Sequence, residues 1–169
     1  ILRLMRSGHA RRSFELLQDV DAIVHLVPVV GKFLKKATDE QSGAFWSLID
    51  ALDQRVQSRP ANSEPPPNGV LLAVLMYGAV EAERERQPTR SVSSVAESLL
   101  GSLAIDLRLP RRDSGCLKRI CGVQHRFEQP EGERRFRTES FVHSPYFEEA
   151  LQLFALRTAS AGKDRELVD

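Results

Sequence analysis

The chain has 169 residues, of which 41% are hydrophobic and 28% charged, with 24 Lys+Arg against 23 Asp+Glu. That length suits one domain or a large piece of a longer protein, and that balance supports a buried core rather than a disordered chain. No apolar run nears the ~20 residues that span a bilayer, so transmembrane and collagen-like classes are excluded and no membrane partner is expected.

Residues 1–6 (ILRLMR) carry neither an initiator Met nor a signal-peptide profile and read as the middle of an amphipathic helix, an internal start. Ser7-Gly8-His9-Ala10 opens a helix to about residue 19, with Ala10, Phe14 and Leu17 on its apolar stripe. Val27-Pro28 marks a bend before a short basic helix bearing Lys32, Lys35 and Lys36. From 39 to about 57, Phe45, Leu48, Ile49, Leu52 and Val56 recur at helical spacing, with Trp46 beside that stripe. Residues 58–69 hold three consecutive prolines and read as a loop.

Residues 70–80 are apolar on nearly every face, which predicts the most buried helix, running out through 81–86 and stopping before Pro88. A further helix is expected from 91 to about 105, with Val92, Val95, Ala96, Leu99, Leu100 and Leu103 inward, broken at Leu109-Pro110. One helix is then expected from Arg111 to about Phe127. On it Arg112, Arg119 and Arg126 repeat every seven residues and line up beside an apolar side of Leu117, Ile120, Cys121, Gln124 and Phe127. Residues 128–138 read as a loop loaded with Arg134, Arg135 and Arg137, in which Phe136 is expected to pin the loop rather than stack a base. A last helix over 144–159 packs Tyr146 or Phe147, Ala150, Leu151, Phe154 and Ala155; Gly162 ends it and 163–169 fray.

No stretch alternates with period two, so the fold class is all-α, an irregular helical bundle of about seven or eight helices. It divides into residues 1–36, 37–110 and 111–169. Charge follows blocks: net +4 over 1–36, −4 over 37–100, +4 over 111–137 and −3 over 138–169. A fold that unites the two basic blocks has a positive face suited to a polyanion.

Catalytic chemistry is not legible in this stretch. Cys116 and Cys121, five apart, point to separate helix faces, fit neither a disulfide framework nor a zinc pattern, and agree with a reducing, cytoplasmic setting. The glycines are too scattered for a phosphate loop. His9, His25, His125 and His143 stand alone and read as surface or capping residues, not ligands. Asp50 and Asp53, at i,i+3, read as solvated helix carboxylates rather than an acid–base pair. No catalytic residue and no metal site are assigned.

Three stretches resemble the bacterial poly(A) polymerase family, the polyadenylating branch of the class II nucleotidyltransferases that also includes CCA-adding enzymes. They are residues 4–10 (LMRSGHA) with Phe14-Glu15-Leu16-Leu17, residues 107–113 (LRLPRRD) with Leu117, Ile120, Gln124 and Arg126, and residues 141–151 (FVHSPYFEEAL) with Leu153, Leu156 and Arg157. They look like the end of the family's neck, its body-to-tail helix and its last segment, in family order. The family's glycine-rich loop, metal-binding aspartates and base-reading motif have no match here, so the resemblance places ATP, magnesium and nucleotide selection on an upstream head of the parent chain. It also implies an RNA-binding neck-body-tail region, itself non-catalytic, that holds an RNA 3′ end during polyadenylation in mRNA processing. Some members of the family end in a long arginine-rich extension, whereas this sequence ends with Glu166 and Asp169.

That role falls to phosphate neutralisation without sequence readout. Arg111, Arg112, Lys118, Arg119, Arg126, Arg134, Arg135 and Arg137 are the first candidates, and Lys32, Lys35 and Lys36 the second. The alternatives are the C-terminal region of a CCA-adding tRNA nucleotidyltransferase and a helical protein–protein scaffold whose charges only solvate it.

Overall fold

The helix α6 (Asn68–Arg86) is the one around which the others assemble. Every residue from Gly69 to Met76 is buried, as its all-round apolar sequence requires. The computed structural model describes residues 1–92, 94–99, 110–128 and 138–162, with only the backbone of 111, 112 and 138. Before α6 lie α1 (Leu2–Met5), α2 (Ala10–Asp19), α3 (Ile23–Leu26), α4 (Pro28–Leu34) and α5 (Asp39–Gln57). After it come a helical stretch at 94–99, then α7 (Arg111–Gly122), α8 (Gln124–Phe127), α9 (Thr138–Val142) and α10 (Phe147–Ser160). The described residues contain no strand, and the bundle is all-α as expected.

Local chemistry sets the boundaries. Thr38 and Gln41 form a reciprocal capping box at α5, each side chain accepting the other's backbone N–H at 3.2 Å, with Asp39 and Glu40 in the first turn. Pro28 starts α4, where its missing N–H costs nothing. Gly162 closes α10 with φ +63, a conformation that side chains with a Cβ adopt only under strain.

Two glycines let neighbours approach α6. A Cβ on Gly69 would lie 3.0 Å from Cys116 Sγ of α7, and one on Gly78 would lie 3.1 Å from the Phe33 ring of α4. Nine residues at about 100° each amount to two and a half turns, so α7 and α4 seat on opposite faces of α6. At the start of α6, Arg6 donates to Asn68 Oδ1 at 2.5 Å and Asn68 donates to Asp113 of α7 at 3.1 Å. Near the same end Cys116 Sγ donates to the Glu149 carboxylate of α10. Parts of all three stretches singled out in the sequence therefore meet around one end of one helix.

The structure revises the expected elements at four places. The single helix over 111–127 is divided at Val123 into α7 and α8, so Arg112, Arg119 and Arg126 do not share one uninterrupted helix. In α10 the buried positions are Ala150, Leu153, Leu156 and Thr158; Leu151, Phe154 and Ala155 are only half-buried. The loop after α5 ends at Pro67, and short helices α3 and α9 interrupt stretches that carry no long apolar period. The expected inward residues Val95 and Ala96 are fully buried, whereas Leu100 and Leu103 lie outside the described residues.

Candidate nucleic-acid interface

The described cationic candidates fall into two groups separated by α6. Lys32 on α4, and Lys35 and Lys36 just after it, are exposed, with Lys35 paired to Asp21 at 2.9 Å. Lys118 and Arg119 stand on α7 and Arg126 on α8. Because α4 and α7 occupy opposite faces of α6, Lys32, Lys35 and Lys36 stand apart from Lys118 and Arg119, whereas Arg6 of the first basic block is linked through Asn68 to Asp113 at the start of α7. Arg111 and Arg112 begin α7, but their side chains lie outside the described residues, as do Arg134, Arg135, Phe136 and Arg137 altogether.

Within the second group each described cation has a defined setting. Lys118 pairs with Glu97, and its ammonium, through a hydrogen bond and its charge, draws the Glu97 carboxyl below the usual carboxylate range. Arg119 is exposed, its guanidinium 6.0 Å from the Tyr146 ring centroid. Arg126 lies over the Phe141 ring at 5.3 Å. That ring belongs to a cluster in which Phe127 packs against Phe141, Phe147 and Phe154 at centroid distances of 5.3, 5.9 and 5.0 Å. The cluster fastens α8 and α9 onto α10 and thereby sets where Arg126 stands.

Arg126 opens onto a cleft of about 680 Å³ bounded by the C-terminal end of α6, residues 88–92, the α7–α8 junction and α10. Among the described residues four arginines line it, Arg84, Arg90, Arg126 and Arg157, with two acids, Glu81 and Glu128. Arg84 donates from Nε and Nη2 to Glu81 Oε2 at 3.1 and 2.9 Å. Arg157 lies 4.4 Å over the Tyr77 ring and donates to Gln124 Oε1 at 3.2 Å and to Glu128 at 2.7 Å. Gln124 is itself buried and donates to the carbonyls of Ile120 and Ala150, so the wall behind Arg157 is braced from two helices. Burial holds the Tyr77 phenol well above its ordinary range, so it stays protonated. Arg90 donates to neutral acceptors, Gln87 Oε1 at 3.1 Å and the carbonyl and hydroxyl oxygens of Ser94 at 3.1 and 3.0 Å.

Arg84, Arg90 and Arg157 are absent from the sequence-based candidates. Each lies in a block whose net charge is negative, and summing over blocks conceals single arginines contributed by different helices. The signal available was the arginine-for-lysine bias: arginine is the cation that forms planar, two-pronged contacts with phosphate.

The carboxylates have structural roles. Asp53 is buried and accepts the backbone N–H groups of Ala10 and Arg11 at 2.8 and 2.9 Å, capping α2 from α5, while Asp50 pairs with Arg11. The four histidines are exposed, as expected. No helix among the described residues is long and apolar enough to cross a membrane.

Residues 84–169 match the family model described as the polymerase A arginine-rich C-terminus. The match begins at Arg84 and contains all four arginines of the cleft and most of the arginines in the chain. No curated protein and no solved structure matches the chain.

Proposed function

The chain belongs to the polymerase A arginine-rich C-terminus family, and from that premise we propose that it is the RNA-holding C-terminal region of a poly(A) polymerase. In this reading the chain performs no chemistry. A catalytic head in the same parent protein, using ATP and magnesium, extends an RNA 3′ end that this region retains, as in bacterial cytoplasmic polyadenylation during mRNA processing.

The observation that supports the reading is the arginine-lined cleft beside α7 and α8, where the described residues include four arginines and two acids. A polymerase that works without a template must hold its substrate without reading most of the bases. Arginine contacts to phosphate do this, because the charge on the backbone is the same at every nucleotide. Lys118, Arg119 and Arg126 extend the positive surface along α7 and α8, with Arg111, Arg112, Arg134, Arg135 and Arg137 proposed to continue it. Lys32, Lys35 and Lys36 form a second, separate cationic group behind α6.

A salt titration of binding to a single-stranded RNA oligonucleotide tests the proposal. The expected result is log affinity falling linearly with log salt, by about 0.7 for each phosphate contacted. Absence of binding, or binding indifferent to salt, would leave a helical protein–protein scaffold as the better account. Whether the parent protein adds A alone or also C, tested on the full-length enzyme, separates poly(A) polymerase from a CCA-adding enzyme.

A further inference from the structure

We propose that Arg157 is a fixed phosphate-binding cation whose place is kept, in the free chain, by the Glu128 carboxylate. A phosphodiester group of single-stranded RNA displaces Glu128 and takes its side of the guanidinium. This deepens the RNA-holding reading and rests on it.

The two members of the ion pair are held very unequally. The Arg157 side chain is 21% exposed, that of Glu128 53%. Arg157 has two anchors besides the acid: its guanidinium lies 4.4 Å over the Tyr77 ring, and Nη1 donates to Gln124 Oε1 at 3.2 Å. Gln124 is 2% exposed, and its amide nitrogen donates to the carbonyls of Ile120 and Ala150, which turns Oε1 toward Arg157. Glu128 is the exposed C-cap of α8, and its printed contact is the 2.7 Å bond it accepts from Nη2. When Glu128 leaves, the tyrosine ring and the glutamine amide still hold Arg157 in position, so an incoming anion finds the cation already oriented.

Magnitudes favour the exchange. An exposed ion pair holds its partner weakly, so removing the carboxylate costs at most about fivefold in affinity. A guanidinium–phosphate contact is charge-assisted, and on a polyanion it also releases counterions, which the exposed carboxylate does not. Arg157 is also reachable from two sides. With Tyr77 and Glu81 it lines both the cleft of about 680 Å³ and a groove of about 540 Å³ between α4, α5, α6 and the end of α10. A strand entering through either concavity meets the same side chain.

The test uses the 169-residue chain and a fluorescent single-stranded RNA 12-mer, with binding measured across a salt series and folding checked by thermal melting. Glu128→Gln, at an exposed position, is expected to keep the fold and tighten binding about 2–5-fold at an unchanged salt slope. Arg157→Gln is expected to weaken binding about 3–10-fold and lower the slope by about 0.7. Arg157→Lys is expected to recover the slope but only part of the affinity, since an ammonium cannot keep the glutamine contact and the stacked plane while binding phosphate. In the double variant the gain from Glu128→Gln is expected to vanish, to less than about 1.5-fold, because the carboxylate then has no cation to compete for. Inorganic phosphate is expected to displace the oligonucleotide only at far higher concentration than unlabelled RNA.

Wild-type affinity in Glu128→Gln, or an equal gain from it whether or not Arg157 is present, would overturn the exchange and leave the broader reading standing. Competition by inorganic phosphate at concentrations matching RNA would overturn the assignment to a nucleic-acid phosphodiester. A wild-type chain that binds no RNA would defeat the broader reading, and this one with it.

Discussion

The carboxylate of Asp53 receives the backbone N–H of Ala10 at 2.8 Å, so the open end of α2 is capped by a residue 43 positions away on another helix. His9, at the N-cap position itself, makes no side-chain capping bond, and α2 has no acidic residue in its first turn. Asp53→Ala is therefore expected to destabilise the fold by about 2–3 kcal/mol, leaving two donors without their acceptor. Asp50→Ala, which removes only the half-exposed pairing with Arg11, is expected to cost less than about 1 kcal/mol. Urea unfolding of both variants checks the difference.

Gly31 and Gly43 are both helical and are expected to respond oppositely to alanine. A Cβ at Gly31 would lie 2.6 Å from the Cα of Val24, a backbone atom that cannot step aside, whereas a Cβ at Gly43 meets nothing within 4 Å. Gly31→Ala is expected to lower stability by about 1–3 kcal/mol and Gly43→Ala to raise it by about 0.5–1 kcal/mol. The same unfolding assay reads both.

The two thiols are expected to be inert in the folded chain. Burial, with the Glu149 carboxylate adding to it at Cys116, pushes Cys116 and Cys121 each up to about 12 from an ordinary 9.0. Thiol-reagent labelling at pH 8 is expected to be on the order of a hundredfold slower in the native chain than in urea. Protonated thiols favour the folded state, so their contribution is complete below about pH 9 and lost as pH rises toward 12; Tyr77 acts in the same direction. Melting temperature should accordingly fall across that alkaline window.

Joint reversal of Arg112 and Arg119 to Glu is expected to weaken RNA binding at least tenfold and lower the salt slope by roughly 1.4, two phosphate contacts' worth. The matching reversal of Lys32 and Lys36 measures the group behind α6. A strand that passes only over α7 and α8 predicts a much smaller effect there.

The bundle was legible where one local cause acts alone. The limits of α5 follow from a capping box and a regular apolar stripe, and the burial of α6 follows from its lack of any polar face over 70–76. In α10 five of the six residues from 151 to 156 are apolar, so the period does not choose a face; contact with α5 and α6 does, and it selects Leu153 and Leu156. The break at Val123 follows Gly122, a weak signal beside the seven-residue arginine spacing that runs across it. The cleft was least legible because its arginines come from α6, the segment after it, α8 and α10, and only the packing of those elements makes them neighbours.

The link from Arg6 through Asn68 to Asp113 joins the first turn of the chain to the beginnings of α6 and α7. Amide protons near Asp113 should therefore exchange with solvent in concert with those around Arg6, although 107 positions separate the two residues in the sequence. Cutting the chain just after Arg6 would then expose the start of α7 to proteases at a site the cut never touched.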